Sequence, residues 1–142
     1  MKHKILFLLD EGDTENFCGT KVEKLIYRIE NVPFYVKGVS FDDLVLVGIN
    51  DNGEFIFEKV LKKSGHSTYR IYLLKNNQQV NFEKYWKLLE MIGCTYEKAF
   101  ERFYSIDVPP STNIYEAYNL LDVGEKAGVW EFEEGDCAHD LN

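Results

Sequence analysis

The segment LVLVGINDNGEFIFEKVL, residues 44–61, decides the fold class of this chain. Two runs rich in aliphatic and aromatic residues, 44–49 and 54–61, flank the sequence Asn50-Asp51-Asn52-Gly53. Asn and Gly tolerate the positive φ angles that tight hairpin turns require. We therefore predict two antiparallel strands joined by a tight turn, and a first half that is rich in β-structure.

Strand patterns extend to both sides of this hairpin. Residues 25–38, LIYRIENVPFYVKG, favour a strand, but Pro33 has no N–H group to donate to a ladder. This strand is therefore predicted to lie at a sheet edge or to end at a bend at Pro33. Towards the N terminus, KILFLL, residues 4–9, is a candidate for a further strand.

Residues 68–74, TYRIYLL, alternate in character and predict another strand. The residues before it, Ser64-Gly65-His66-Ser67, are predicted to form a hairpin turn. Successive short antiparallel strands joined by tight turns favour a small barrel or a strongly curled sheet. We assign this β-rich half to residues 22–75.

Two helices are predicted in the second half. The first follows Asn81, a candidate N-cap, and ends near Gly93. Its apolar positions at helical spacing are Phe82, Tyr85, Trp86, Leu89 and Ile92. Asn113, with Glu116 three residues later, resembles a capping box that opens the second helix. Gly124 is predicted to end or kink that helix.

Two more strands complete the second half, FYSIDV at residues 103–108 and VWEFEE at 129–134. Together with residues 68–74 they give the order β-α-β-α-β, which is most of a ferredoxin-like sandwich, over residues 68–136. The predicted fold class is α+β, with a small antiparallel β-rich half that continues into the ferredoxin-like half. We expect the halves to share one core in a single domain, residues 1–142.

The charge of the chain is unevenly distributed. The net charge is −8 over 142 residues. Residues 111–142 hold eight carboxylates and one lysine, a net of −7, which leaves −1 for the rest of the chain. A strongly acidic segment repels nucleic acid and attracts basic partners. The composition therefore favours a basic protein partner and disfavours nucleic acid, with a solvated surface as the alternative interpretation.

The cysteines and the hydropathy pattern indicate a compartment. Cys18, Cys94 and Cys137 are odd in number and widely spaced, which is typical of reduced thiols rather than a disulfide framework. No apolar run approaches the roughly 20 residues that span a bilayer, and nothing resembles a signal peptide. We therefore expect a cytoplasmic protein without a membrane partner.

The segment LKKSGHSTYR, residues 61–70, is one candidate site. Gly65 would let backbone amides and hydroxyl groups approach an anion, and the basic side chains would add charge. The proposed ligand-binding residues are Lys62, Lys63, Ser64, His66, Ser67 and Arg70. This interpretation makes the protein a regulatory domain for a small anionic ligand or RNA. The alternative is a purely structural turn.

Catalysis is a third interpretation of this segment, a hydrolase centred on His66 and Asp107, with Ser67 as a nucleophile. Neighbouring side chains on a turn rarely face each other, and no Walker, dinucleotide-binding or triad motif occurs. Cys137 and His139 lack a second pair at zinc-type spacing. We therefore predict no enzyme activity, no catalytic residues, no cofactor and no metal.

The acidic residues of the last predicted strand are the other candidate site. If Trp130 faces the core, Glu131 and Glu133 project outward together, near Glu134 and Asp136. A row of carboxylates on a rigid strand can bind a basic protein surface and speed its association. These four residues are the predicted partner-binding residues.

Four sequence blocks resemble those of an uncharacterised bacterial domain-of-unknown-function family. The blocks are YRIENVPFYVKGVSFDDLV, KKSGHSTYRIY, IDVPPSTNIYEAYNLL and GVWEFEEGDC, and they span about residues 22–136. The first 19 residues fit no block. The resemblance implies no activity, and it points to Asn31, Pro33, Phe34, Gly65, His66, Ser67, Asp107, Pro109, Trp130 and Glu134.

These observations favour a non-enzymatic protein-binding inhibitor. The small size, the absence of catalytic motifs and the acidic segment are typical of the cytoplasmic immunity protein of a bacterial toxin system. Its expected partner is a cognate basic toxin domain, bound through the acidic surface. The alternatives are the anionic-ligand or RNA-binding domain and the hydrolase.

Overall fold

The computed structural model describes residues 2–74 and 79–141. Its first half is a five-stranded sheet that closes into a ring. The elements are β1 (Lys2–Leu8), a 3-10 turn (Asp10–Gly12), β2 (Thr14–Glu23), β3 (Ile26–Ile29), β4 (Leu44–Ile49) and β5 (Phe55–Lys62). Consecutive strands pair antiparallel, and β1 closes the ring by pairing parallel with β5, Ile5 opposite Phe55. The predicted curled sheet and the further strand at KILFLL are confirmed.

The hairpin at residues 44–61 is also confirmed, and the Asn50 side chain adds to the backbone hydrogen bonds that close its turn. Asn50 Oδ1 accepts hydrogen bonds from the backbone N–H groups of Asn52 and Glu54, at 3.0 and 2.9 Å. Gly53 has a φ of 78°, a left-handed conformation that glycine adopts without strain. Local sequence therefore determines this turn.

The strand predicted over residues 25–38 ends before Pro33, in line with the second of the two predicted alternatives, and it has only four residues. β3 ends at Ile29, before Pro33, and residues 30–43 form a long connection that we call the crossing loop. This loop leaves the ring and packs on the second half of the molecule. Lys75, the predicted end of the β-rich half, lies outside the described residues.

The second half has the full ferredoxin-like order β-α-β-β-α-β. Its elements are β6 (Ser67–Leu73), α1 (Gln79–Met91), β7 (Thr95–Phe100), β8 (Phe103–Val108), α2 (Ile114–Lys126) and β9 (Trp130–Asp136). The sheet is antiparallel in the order β7-β8-β6-β9. The α+β class is confirmed, and β7 is a strand that the sequence analysis missed.

The predicted hairpin turn at Ser64–Ser67 is wrong. β5 pairs with β4 and β1 in the ring, whereas β6 pairs with β8 and β9 in the other sheet. The segment therefore connects two sheets. The physical reason is burial, because six of the seven residues of β6 are buried and only a central strand satisfies such a pattern.

The two helices differ from the prediction at two positions. Asn81 lies inside α1 and is not its N-cap. Gly124 lies inside α2 and neither ends nor kinks it, because this glycine makes room for Trp130, whose ring would lie 2.4 Å from an added Cβ. The Asn113 cap is confirmed by bonds to the N–H groups of Tyr115 and Glu116. No helix among residues 2–74 and 79–141 is both long and apolar enough to cross a membrane.

The buried apolar side chains form two clusters. One fills the ring, and the other lies between α1, α2 and one face of the second sheet. In the second cluster the indole N–H of Trp130 donates to the Leu121 carbonyl at 2.9 Å. Within residues 2–74 and 79–141 no helix packs on the opposite face of this sheet, and that face positions the candidate site.

Candidate functional site

The open face of the second sheet is built by the alternation of three neighbouring strands. On central β6, Arg70 and Tyr72 point to this face, since Ile71 between them is in the helix-side cluster. On edge strand β9, Glu133 lies opposite Arg70 and Glu131 lies opposite Tyr72. On β8, Phe103 lies opposite Tyr72. The face is thus polar at one end and aromatic and acidic at the other.

The crossing loop covers the polar end of this face. The N–H of Val32 donates to Glu97 Oε2 at 2.9 Å, and Ser105 Oγ donates to the Val32 carbonyl at 3.0 Å. Further along, Gly38 N–H donates to the Gly135 carbonyl at 3.0 Å. Polar side chains and one backbone carbonyl of the sheet therefore satisfy backbone groups of the crossing loop.

Arg70 is the largest polar anchor under the loop. Its side chain is 1% exposed, and its guanidinium donates to the carbonyls of Pro33, at 3.4 Å, and Val36. Burial lowers the pKa of Arg70, which the negative charges of Glu133 and Glu15 oppose. Arg70 therefore holds the loop and is not exposed to an external anion.

Glu15 anchors the same loop from the ring. Its Oε2 accepts from the N–H of Phe34 at 2.7 Å, and its Oε1 accepts from Tyr35 and Val36 at 3.0 and 2.9 Å. Three consecutive amides that converge on one carboxylate fix the loop conformation, because charge-assisted hydrogen bonds are the stronger kind. The loop is thus held from both sides, by Glu15 and by Arg70.

A buried polar network joins the two halves beside the loop. Asp43 is fully buried and accepts from Lys63 Nζ at 2.7 Å and from the N–H groups of Ser40 and Ser64 at 2.9 and 2.8 Å. Lys63 Nζ also lies 2.5 Å from Asp136 Oδ2. Burial lowers the pKa of Lys63, but its hydrogen bonds to Asp136 and Asp43 outweigh that effect and raise the pKa overall.

His66 and Asp107 form a close pair. His66 Nδ1 lies 2.8 and 3.0 Å from the two carboxylate oxygens of Asp107. Burial raises the pKa of Asp107, and the neighbouring His66 opposes that shift. The spacing meets the geometric condition of the hydrolase interpretation, in which the two side chains had to lie within hydrogen-bond reach.

Ser67, the nucleophile of that interpretation, bonds a different histidine. Its Oγ lies 2.6 Å from His139 Nδ1 and accepts from the N–H groups of Ala138 and His139 at 2.9 and 3.3 Å. His139 Nε2 lies 2.9 Å from the Pro109 carbonyl, so Nε2 carries the hydrogen and Nδ1 accepts from Ser67. Ser67 is fully buried and fixes the C-terminal segment.

The end of the open face that the loop leaves uncovered is aromatic and acidic. A cavity of about 300 Å³ opens here, lined in part by Tyr72, Phe103, Glu131 and Glu133. Phe100 and Tyr35 extend the surface, with ring centroids 5.5 and 5.6 Å from that of Phe103. We call these six residues the aromatic–acidic patch. Three of its rings, those of Tyr35, Tyr72 and Phe100, are 52%, 42% and 48% exposed.

The comparisons with known proteins now identify the family. Residues 15–132 match the model of the family described as Domain of unknown function (DUF4265). The chain belongs to the DUF4265 family. Among curated proteins, no sequence matches this chain. The predicted membership of a domain-of-unknown-function family is confirmed, and the individual sequence blocks stay predictions.

One solved structure shares the fold of this DUF4265 chain. It is described as a novel crystal structure of a hypothetical protein from Neisseria gonorrhoeae. The TM-score is 0.81 at 21% sequence identity, over 99% of this chain and 97% of that chain. At this identity the likeness shows the fold alone.

The predicted acidic row is divided by the structure. Glu131 and Glu133 are exposed and lie together on the aromatic–acidic patch. Glu134 is also exposed but lies near the helix side, where Tyr69 Oη donates to it at 3.2 Å. Asp136 lies in the buried network beside Lys63 and Ser40. The register of the β6–β9 pairing shifts between Glu134 and Asp136.

The predicted ligand-binding residues of segment 61–70 do not form one site. Lys62 is exposed, Lys63 pairs with Asp43 and Asp136, and Arg70 faces the crossing loop. Ser64 Oγ donates to the Phe41 carbonyl at 2.7 Å. These groups mainly bind other parts of the protein, and ligand binding at this segment stays a prediction.

The aromatic residues of the patch were not predicted from the sequence. Tyr72 could have been predicted, because the alternation of TYRIYLL places it on the same face as Arg70. The position of Phe103 depends on the β6–β8 register, and that of Tyr35 depends on the path of the crossing loop, so neither could be predicted from the sequence.

Cys94 gives a chemical test of the packing below the sheet. Burial raises the pKa of its thiol to about 12, and the Asp107 charge adds to the shift. Because thiolates are the reactive form, we expect Cys94 to resist alkylation at pH 8 while exposed Cys18 reacts. Mass spectrometry of native and unfolded samples measures the labelling, and equal rates at both cysteines would contradict the burial of Cys94.

The raised pKa of Cys94 also has an effect on stability. The folded state loses stability as the pH rises above the ordinary thiol value of 9.0, because the thiol then ionises more readily in the unfolded chain.

Proposed function

We propose that this protein is a non-enzymatic, protein-binding inhibitor, specifically the immunity protein of a bacterial toxin system. It neutralises a basic toxin domain by binding it through the aromatic–acidic patch. The observation that carries the proposal is the uncovered cavity at which exposed aromatic rings meet Glu131 and Glu133.

Aromatic exposure of this kind supports a protein partner. Tyr and Phe are enriched in protein–protein interfaces, where large rings bury much area at little cost in side-chain entropy. Exposed large apolar groups that lie next to one another mark interaction sites more often than single ones do. Tyr35, Tyr72 and Phe100 are connected through ring contacts with Phe103.

The charge of the patch supports a basic partner. Glu133 is exposed and lies 3.8 Å from the buried Arg70 guanidinium, and Glu131 makes no ion pair within the described part of the chain. The C-terminal segment carries most of the net charge of −8. Such a field attracts a basic surface, speeds its association and repels RNA or DNA.

The role of the patch is tested by reversing its charge. We expect Glu131→Lys with Glu133→Lys to lower the association rate for the toxin domain at least about tenfold at low salt, and less at high salt. Surface plasmon resonance over a salt series measures the association and dissociation rates. The matched control, Glu23→Lys with Glu58→Lys, makes the same charge change at exposed positions of the ring. Unchanged affinity of the patch variant across the series would contradict the proposal.

The anionic-ligand or RNA alternative rests on a different surface. It predicts retention on heparin at low salt that is lost in Lys63→Ala with Arg70→Ala. The bonds of Lys63 to Asp43 and of Arg70 to the crossing loop give it less support than the patch has.

A further inference from the structure

The centre of the aromatic–acidic patch is a cavity with two chemically different walls. Tyr72 and Phe103 form the aromatic wall, and Glu131 and Glu133 form the acidic wall. Its volume of about 300 Å³ is at the lower end of the range for ligand pockets. A cavity of this size suits one inserted side chain better than an extended ligand.

We propose that this cavity holds the guanidinium group of an arginine side chain of the partner. This inference rests on the proposed function, because it names the chemistry by which the toxin domain is recognised at the same site. The guanidinium would stack on Tyr72 and Phe103 and donate hydrogen bonds to Glu131 and Glu133.

The charges around the cavity favour a cation. Alternate residues of one strand lie about 6.7 Å apart, so a planar group fits between the side chains of Glu131 and Glu133. Arg70, at the floor, already donates to two carbonyls of the crossing loop and can offset only part of the charge of Glu133. Glu131 has no basic partner among the described residues. The charged lining residues are two carboxylates and one guanidinium, a net charge of −1, which favours a cation over an anion.

The aromatic wall favours arginine over lysine. A guanidinium is planar, weakly hydrated and able to stack on a ring while it donates a fork of hydrogen bonds to a carboxylate. One arginine of the chain already makes a contact of this kind, since Arg102 Cζ lies 5.7 Å from the centroid of the Tyr72 ring. A lysine ammonium offers charge without the stacking plane.

The test uses a short probe with a matched neutral isostere. We titrate the full chain with the blocked peptide Gly-Arg-Gly, and with its citrulline counterpart, and follow backbone amides by ¹H–¹⁵N NMR. The arginine peptide should shift the amides of Tyr72, Phe103, Glu131 and Glu133 in a saturable way. The citrulline peptide, and a lysine peptide, should bind at least threefold more weakly.

A conservative variant tests the acidic wall without reversing its charge. Glu131→Gln should weaken the arginine peptide at least threefold, whereas Glu23→Gln on the ring should leave it unchanged. Equal binding of arginine and citrulline peptides, or shifts confined to other surfaces, would overturn the inference. If a toxin domain binds in a patch-dependent way while the peptide does not, this inference fails and the proposed function stands. If the peptide binds and no toxin domain does, the proposed function fails and the cavity chemistry stands.

Discussion

Replacing Arg70 with leucine should lower the free energy of unfolding by about 2–5 kcal/mol, because it leaves the buried carbonyl of Pro33 and the partly buried carbonyl of Val36 without a donor. Arg70 is 1% exposed, so water cannot take over these bonds without opening the crossing loop. Arg70→Lys should recover only part of the loss, since one ammonium cannot reproduce the guanidinium fork.

Urea unfolding followed by tryptophan fluorescence measures this loss, since Trp86 and Trp130 are both buried in the second half. The control is Arg28→Ala. Arg28 is exposed and lies 3.6 Å from the partly exposed Asp42, so its removal should cost about 1 kcal/mol or less. An Arg70→Leu protein as stable as the Arg28→Ala protein would show that the loop does not depend on the buried guanidinium.

Removing the buried carboxylate of Asp43 should have a comparable effect, a loss of about 2–4 kcal/mol in Asp43→Ala. The N–H groups of Ser40 and Ser64 lose their acceptor, and each unpaired buried donor carries a desolvation penalty. Lys63 keeps Asp136 as a partner, which limits the loss on the basic side.

Thermal unfolding followed by circular dichroism measures the Asp43 effect, which corresponds to a fall of roughly 5–15 °C in Tm. Asp51→Ala, in the exposed hairpin turn, is the control and should change the Tm little. If the Asp43→Ala protein has the same Tm as the Asp51→Ala control, the buried network beside the crossing loop does not join the two halves.

The parts of the fold that sequence predicts are those that local chemistry determines. The turn at Asn50–Gly53 needs only a short polar side chain and a glycine, and the start of α2 needs only Asn113. β7 was missed because five of its six residues are exposed, so no apolar alternation marks it. The Ser64–Ser67 segment was wrongly predicted to be a hairpin turn, because the pairing of β6 with β8 and β9 depends on residues far away in the sequence.

The site was predictable to the extent that strand alternation defines it. The pattern of residues 129–134 places Glu131 and Glu133 on one face, and the structure keeps them there. The pattern could not show that Asp136 would enter the buried network or that Phe103 would lie beside Tyr72. Those contacts depend on the register of three strands and on the crossing loop.

The two ends of the open face of the second sheet have different roles in the structure. Buried polar groups, with Arg70 at their centre, fix the crossing loop over one end. The loop in turn presents Tyr35 beside Phe103 at the other end. A surface that is arranged before binding loses little entropy when a partner binds, which favours the inhibitor role proposed above.

The most direct test of the proposal compares affinity purifications from the source organism. Tagged wild-type protein, the Glu131→Lys/Glu133→Lys variant and the Glu23→Lys/Glu58→Lys control are each washed at low and high salt, and bound proteins are identified by mass spectrometry. We predict one stoichiometric basic protein with a toxin-like domain, retained by the wild type and the control, lost by the patch variant and weakened by salt. Equal retention by all three proteins, or no stoichiometric partner for the wild type, would contradict the account.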